Sequence, residues 1–97
     1  MRISVLASGS KGNSCYVETK NKSFLIDLGT SSAYVEKQLE TLGKTGKDIK
    51  GIFITHTHAD HINGLRVFIK KFHPVVYLTQ KMYDELSSLF LQYNNLG

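Results

Sequence analysis

Polar and apolar positions alternate at the start of the chain, Arg2-Ile3-Ser4-Val5, and then become wholly apolar through Leu6 and Ala7. That pattern predicts a strand with one buried face. Residues 15–19 (Cys-Tyr-Val-Glu-Thr) and 23–28 (Ser-Phe-Leu-Ile-Asp-Leu) predict two more strands, joined by the polar turn Lys20-Asn21-Lys22 into a β-hairpin. Val35, Leu39 and Leu42 then recur at helical spacing, with Glu36, Lys37 and Glu40 off the stripe. Thr30-Ser31-Ser32 offers hydroxyls for the N-cap of that helix, and Gly43 marks its end. Residues 44–50 form a polar connection, and Gly51-Ile52-Phe53-Ile54 predicts a buried strand. Ile62, Leu65, Ile69 and Phe72 share one face of a second helix, which Pro74 stops. Residues 74–79 predict a fifth strand, and Met82, Leu86, Leu89, Phe90 and Tyr93 a third helix. The early hairpin implies antiparallel pairing. The later alternation implies helices packed on a sheet. The expected fold class is α/β, a mixed sheet with about three helices on one face.

Composition narrows the function classes. With 41% hydrophobic and 21% charged residues the chain is globular rather than disordered. Its length of 97 residues suits one small domain or part of a larger one. A net charge of +4 permits an anionic partner such as nucleic acid without demanding one. Cys15 is the single cysteine, so no internal disulfide forms, and it reads as a small strand residue facing the core. No signal-peptide pattern opens the chain and no apolar run approaches the roughly 20 residues of a membrane span. The expectation is a cytoplasmic protein with no membrane partner.

The candidate chemistry lies in Thr55-His56-Thr57-His58-Ala59-Asp60-His61, where three of the four histidines gather. The stretch falls between a predicted strand and a predicted helix, where sites in α/β proteins collect. In extended backbone His56 and His58 point to one side, while Asp60 and His61 follow one turn later and converge from another direction. Imidazoles and a carboxylate suit Zn²⁺, with Mn²⁺ or Fe as alternatives. Four ligands this close in sequence fit two adjacent ions better than one. Taken singly, each residue has an ordinary reading: a lone histidine is a satisfied polar group, and Asp60 the helix N-cap. His73, just before Pro74, is read as a helix C-terminal residue favoured by the dipole. Asp27, a carboxylate late in an apolar strand, is expected at an exposed strand end, accepting N–H bonds from the loop that follows. Ser8-Gly9-Ser10-Lys11-Gly12-Asn13-Ser14 reads as a flexible connection, with Ser8, Ser10 and Asn13 as candidates for a substrate loop. It lacks the lysine-hydroxyl pair and the glycine spacing of nucleotide cradles.

His56-Thr57-His58-Ala59-Asp60-His61 resembles the His-x-His-x-Asp-His signature of the metallo-β-lactamase-fold hydrolases. Asp27 before Gly29 resembles that superfamily's first motif, an aspartate that organises the site. Ser8-Gly9-Ser10-Lys11-Gly12-Asn13 with Cys15-Tyr16-Val17-Glu18 resembles the bacterial YycJ/WalJ-type, exonuclease-like branch. The resemblance implies that His56 and His58 bind a first metal, and Asp60 and His61 a second. Asp60 would also orient the attacking water. Phosphodiester hydrolysis on DNA is the implied reaction. Ester or thioester hydrolysis on the same fold, or a truncated non-catalytic metal-binding fragment, are the alternatives. The family's αβ/βα sandwich is longer than this chain, and its later ligands have no candidates here. Residues 1–97 therefore read as the incomplete N-terminal half of such a domain. The expected consequences are an uncovered sheet face, self-association or pairing with a complementary C-terminal half, weak metal binding and little turnover.

Overall fold

The structure, a computed structural model, describes residues 1–9, 12–56 and 62–92. Five strands form one sheet: β1 (Arg2–Ala7), β2 (Ser14–Thr19), β3 (Lys22–Ile26), β4 (Ile49–Phe53) and β5 (Val75–Tyr77), in that spatial order. β1, β2 and β3 pair antiparallel, and β4 and β5 add in parallel. The mixed sheet expected from the hairpin and the later alternation is thus present. Lys20 and Asn21 both take positive φ at the hairpin turn, the geometry that matches a two-residue turn to the twist of its strands.

Among the described residues the sheet is accompanied by helices α1 (Ser32–Thr41), α2 (Leu65–Phe72) and α3 (Gln80–Gln92). Ser31 caps α1 by accepting the Tyr34 N–H at 3.1 Å. The connection after α1 contains a short 3-10 turn, Gly46–Asp48, closed by Asp48 accepting the Thr45 N–H at 2.8 Å. Val35 and Leu39 of α1, Leu65 and Phe68 of α2 and Leu86 of α3 share one core with Tyr16, Leu25 and Ile52 of the sheet. All three helices therefore cover one sheet face. Lys71 of α2 joins Glu36 of α1 at 2.9 Å.

Tyr16 is fully buried, yet its hydroxyl is satisfied by Glu18 at 2.7 Å and Ser23 at 2.8 Å. Burial pushes that hydroxyl's pKa up. The same hydrogen bond, with Lys44 and Arg2 nearby, holds Glu18 below the usual carboxylate range.

Strand alternation assigns the opposite face. Val5, Cys15, Ile26, Phe53 and Tyr77 lie in one cross-strand row, and Ile3, Val17, Phe24, Gly51 and Val75 in another. Ile3, Val5, Phe53, Val75 and Tyr77 of this face are exposed, Val5 by 69%. The Phe53 ring stacks on Tyr77 at 4.6 Å and meets Phe24 at 5.7 Å. The expected uncovered apolar face is there. Cys15, expected in the core, lies on this face instead, because its neighbour Tyr16 points into the core and side chains alternate along β2.

Two further boundaries differ from the expectation. β3 ends at Ile26 because Asp27 turns into the left-handed region at φ 63°. The second helix begins at Leu65 with Gly64 at its N-cap, whereas Asp60, which taken singly reads as an N-cap, lies outside the described residues. Pro74 follows His73, which closes α2 in left-handed conformation and donates its N–H to the Ile69 carbonyl at 2.9 Å. That is the C-terminal role expected of His73. Among the described residues no helix is long and apolar enough to cross a membrane.

Candidate metal centre

The parallel strands β3 and β4 end side by side, with Ile26 opposite Phe53. One residue further on, the Asp27 N–H donates to the Phe53 carbonyl at 2.8 Å, and the Ile54 N–H to the Tyr77 carbonyl at 3.0 Å. Register alone therefore carries Thr55 to Asp27 across 28 residues of sequence. The Asp27 carboxylate accepts the Thr55 N–H at 2.8 Å on one oxygen and the Thr55 hydroxyl at 2.5 Å on the other. Asp27 itself is 4% exposed. This corrects the expectation of an exposed aspartate bonded to its own following loop. The carboxylate is buried, and it holds the entry to the histidine stretch. Buried carboxylates require such partners.

Loops on either side are tied to the same point. Ser14 donates its hydroxyl to the Asp27 carbonyl at 2.9 Å. The Gly29 N–H donates to the Asn13 carbonyl and the Gly64 N–H to the Leu28 carbonyl, at 2.8 and 2.9 Å. Gly12 sits at φ 119°, and a side chain there would stand 2.6 Å from the Gly29 backbone. Gly64 has no room for one either, since a Cβ would strike the Thr30 carbonyl and the Leu28 side chain. Backbone cannot move aside as a flexible side-chain end can. Gly64→Ala is therefore expected to destabilise the chain by about 2–3 kcal/mol, through overpacking. Urea unfolding checks this; a variant within about 0.5 kcal/mol of the parent would show the loops to be loosely joined.

His56 follows directly. Its ring is exposed, and its Nδ1 lies 3.1 Å from the Thr55 hydroxyl oxygen. His58, Asp60 and His61 lie outside the described residues, as does Ser10. Among the described residues no three His, Cys, Asp or Glu side chains converge on one point. Of the substrate-loop candidates, Ser8 is exposed. Asn13 folds its amide back on Gly9, accepting its N–H at 3.2 Å. Thr55 had no role in the sequence reading. A hydroxyl next to a ligand-type histidine is the only local signal, and its meaning depends on Asp27, which sequence distance hides.

The part of the site described fits a divalent cation. An exposed imidazole leaves a rigid strand end, anchored by a buried carboxylate, and the sequence continues with two imidazoles and a carboxylate within five positions. Those donor types are the ligands of zinc and its neighbours.

Residues 7–92 match the family described as the metallo-beta-lactamase superfamily. Over 87 residues the chain is 37% identical to an exodeoxyribonuclease WalJ of Streptococcus pneumoniae serotype 2, an alignment covering 90% of this chain and 32% of that protein. It is 39% identical over 89 residues to an exodeoxyribonuclease YycJ of Bacillus anthracis, covering 92% of this chain and 34% of that one. Among solved structures, a Cronobacter sakazakii metallo-beta-lactamase superposes with a TM-score of 0.72 at 20% identity, covering 84% of this chain and 30% of its own. That last likeness concerns the fold alone. The chain spans about a third of the length of the curated relatives it matches.

Proposed function

The chain belongs to the metallo-beta-lactamase superfamily, and from that premise we propose that it forms part of a cytoplasmic, divalent-metal-dependent hydrolase acting on DNA ends. The observation that carries this reading is the Asp27–Thr55 clamp at the mouth of the histidine stretch. It fixes the strand end from which His56, His58, Asp60 and His61 extend. The relatives named exodeoxyribonucleases support the substrate class. The net charge of +4 is compatible with a phosphodiester backbone.

In this reading His56 and His58 hold one ion, and Asp60 and His61 the other. Bound divalent metals supply Lewis acidity and lower the pKa of water toward neutrality. Zinc is the first candidate, manganese or iron the alternatives. The chain's own residues do the positioning. Asp27 and Thr55 hold the backbone entering the site, and Asp60 orients the attacking water. The apolar row Val5, Cys15, Ile26, Phe53 and Tyr77 is the face on which the rest of the two-sheet architecture packs.

A chimera tests the proposal. Residues 1–97 replace the matching segment of the Bacillus anthracis relative, and an end-labelled DNA is followed with and without added divalent metal. The expected result is metal-dependent loss of terminal nucleotides, reduced at least about a hundredfold by His58→Ala with Asp60→Ala. The 97-residue chain alone is expected to show little or no turnover. Robust nuclease activity of that chain alone, or a chimera indifferent to the double substitution, overturns the assignment.

A further inference from the structure

We propose that Thr55 is a positioning residue that selects which ring nitrogen of His56 carries the hydrogen and which the lone pair that a metal would take. The inference deepens the reading above and rests on it for the identity of the ligand, though not for the hydrogen bonds. The Thr55 hydroxyl has one proton. Its oxygen lies 2.5 Å from Asp27 Oδ2, and an ionised carboxylate only accepts. The hydroxyl proton is therefore committed to Asp27. The same oxygen lies 3.1 Å from His56 Nδ1. With its proton spent, the hydroxyl can only accept there, so Nδ1 carries the ring's hydrogen. In the neutral imidazole Nε2 then holds the lone pair.

Each link is fixed by something outside it. Asp27 is buried, and its own N–H and carbonyl are engaged by Phe53 and Ser14. Its second carboxylate oxygen holds the Thr55 N–H. One carboxylate thus grips both the backbone and the side chain of Thr55, and rotation of the hydroxyl away from His56 breaks a charge-assisted bond. Ligating histidines commonly donate their other N–H to a carboxylate or a carbonyl, which sets the tautomer and the ring orientation. Here a threonine hydroxyl takes that place and passes the carboxylate's polarisation one residue along.

The test reads the tautomer directly in the metal-free 97-residue chain. Histidine is labelled with ¹⁵N, and two-bond ¹H–¹⁵N correlations are recorded near pH 8.5, about two units above the usual histidine pKa. The His56 signals are identified by their loss in His56→Gln. The parent and Thr55→Ser should both show His56 with Nδ1 protonated. Thr55→Val keeps the shape and the backbone bond to Asp27 but cannot accept, and should lose that preference. A zinc titration of the same samples should give binding about tenfold weaker in Thr55→Val and restored in Thr55→Ser. Nε2 protonation of His56 in the parent overturns the proposal, whatever the variants do. If Thr55→Val fails to fold, the parent and Thr55→Ser spectra still decide it. Absence of zinc binding in a parent that shows the Nδ1–H tautomer contradicts the metal reading and leaves the hydrogen-bond relay standing.

Discussion

Asp27→Ala lowers the stability of the chain by about 3–5 kcal/mol, the largest effect expected of any single substitution at the site. Three costs combine. The Thr55 N–H and hydroxyl lose a carboxylate acceptor, and hydrogen bonds to charged groups contribute about 1.5–3 kcal/mol each. Alanine must then occupy φ 63°, a conformation costing about 1–2 kcal/mol for an ordinary side chain. Packing around the buried carboxylate is lost as well. These terms overlap, so their full sum is not reached. Asp27→Asn tolerates the left-handed conformation and keeps one acceptor oxygen, so its cost is about 1–2 kcal/mol. Urea titration followed by circular dichroism separates the two. Since small domains carry only about 5–15 kcal/mol in total, the alanine variant should lose a large share of the chain's stability. An alanine variant within about 0.5 kcal/mol of the parent would mean that Asp27 does not hold the two loops together.

The uncovered sheet face gives the second large effect. The 97-residue chain alone is expected to be weakly stable and to self-associate at micromolar concentration. Its Phe24, Phe53 and Tyr77 rings form an aromatic row beside the exposed Ile3, Val5 and Val75. Contiguous apolar patches of this kind are uncommon on monomeric proteins and mark contact surfaces. Two charges on this face, Val5→Lys on the edge strand β1 and Phe53→Glu on β4, should raise the dissociation constant at least about a hundredfold, equivalent to about 2.7 kcal/mol. Sedimentation velocity over a concentration series reads the change. The same variant should fail to pair with a complementary C-terminal part, since both contacts use one face. A parent that sediments as a single monomer and melts in one sharp transition would contradict the expectation.

Much of this fold is legible in the sequence because its elements obey simple periodicities. The Val35, Leu39 stripe and the Pro74 stop announce α1 and the end of α2. Lys20-Asn21 announces the hairpin turn. What the sequence hides is non-local. The polar segment before β4 contains a 3-10 turn set by the Thr45–Asp48 bonds, a signal too short for periodicity. Cys15 is misplaced by composition, because a small apolar residue fits either face until Tyr16 settles the alternation. Asp27 resembles an exposed strand end until parallel pairing sets it against Thr55. The metal chemistry proposed for the histidine stretch is read from residue type alone. The relay from Asp27 through Thr55 to His56 needs the β3–β4 register, which no local pattern encodes.

The most direct measurement is zinc retention by the 97-residue chain after equilibrium dialysis, read by elemental analysis beside His58→Ala with Asp60→Ala. Zinc bound weakly but measurably by the parent, and at least about tenfold less by the variant, is the expected result for a cluster that forms its site from this segment. Equal retention by both proteins, or none by either at millimolar zinc, contradicts it.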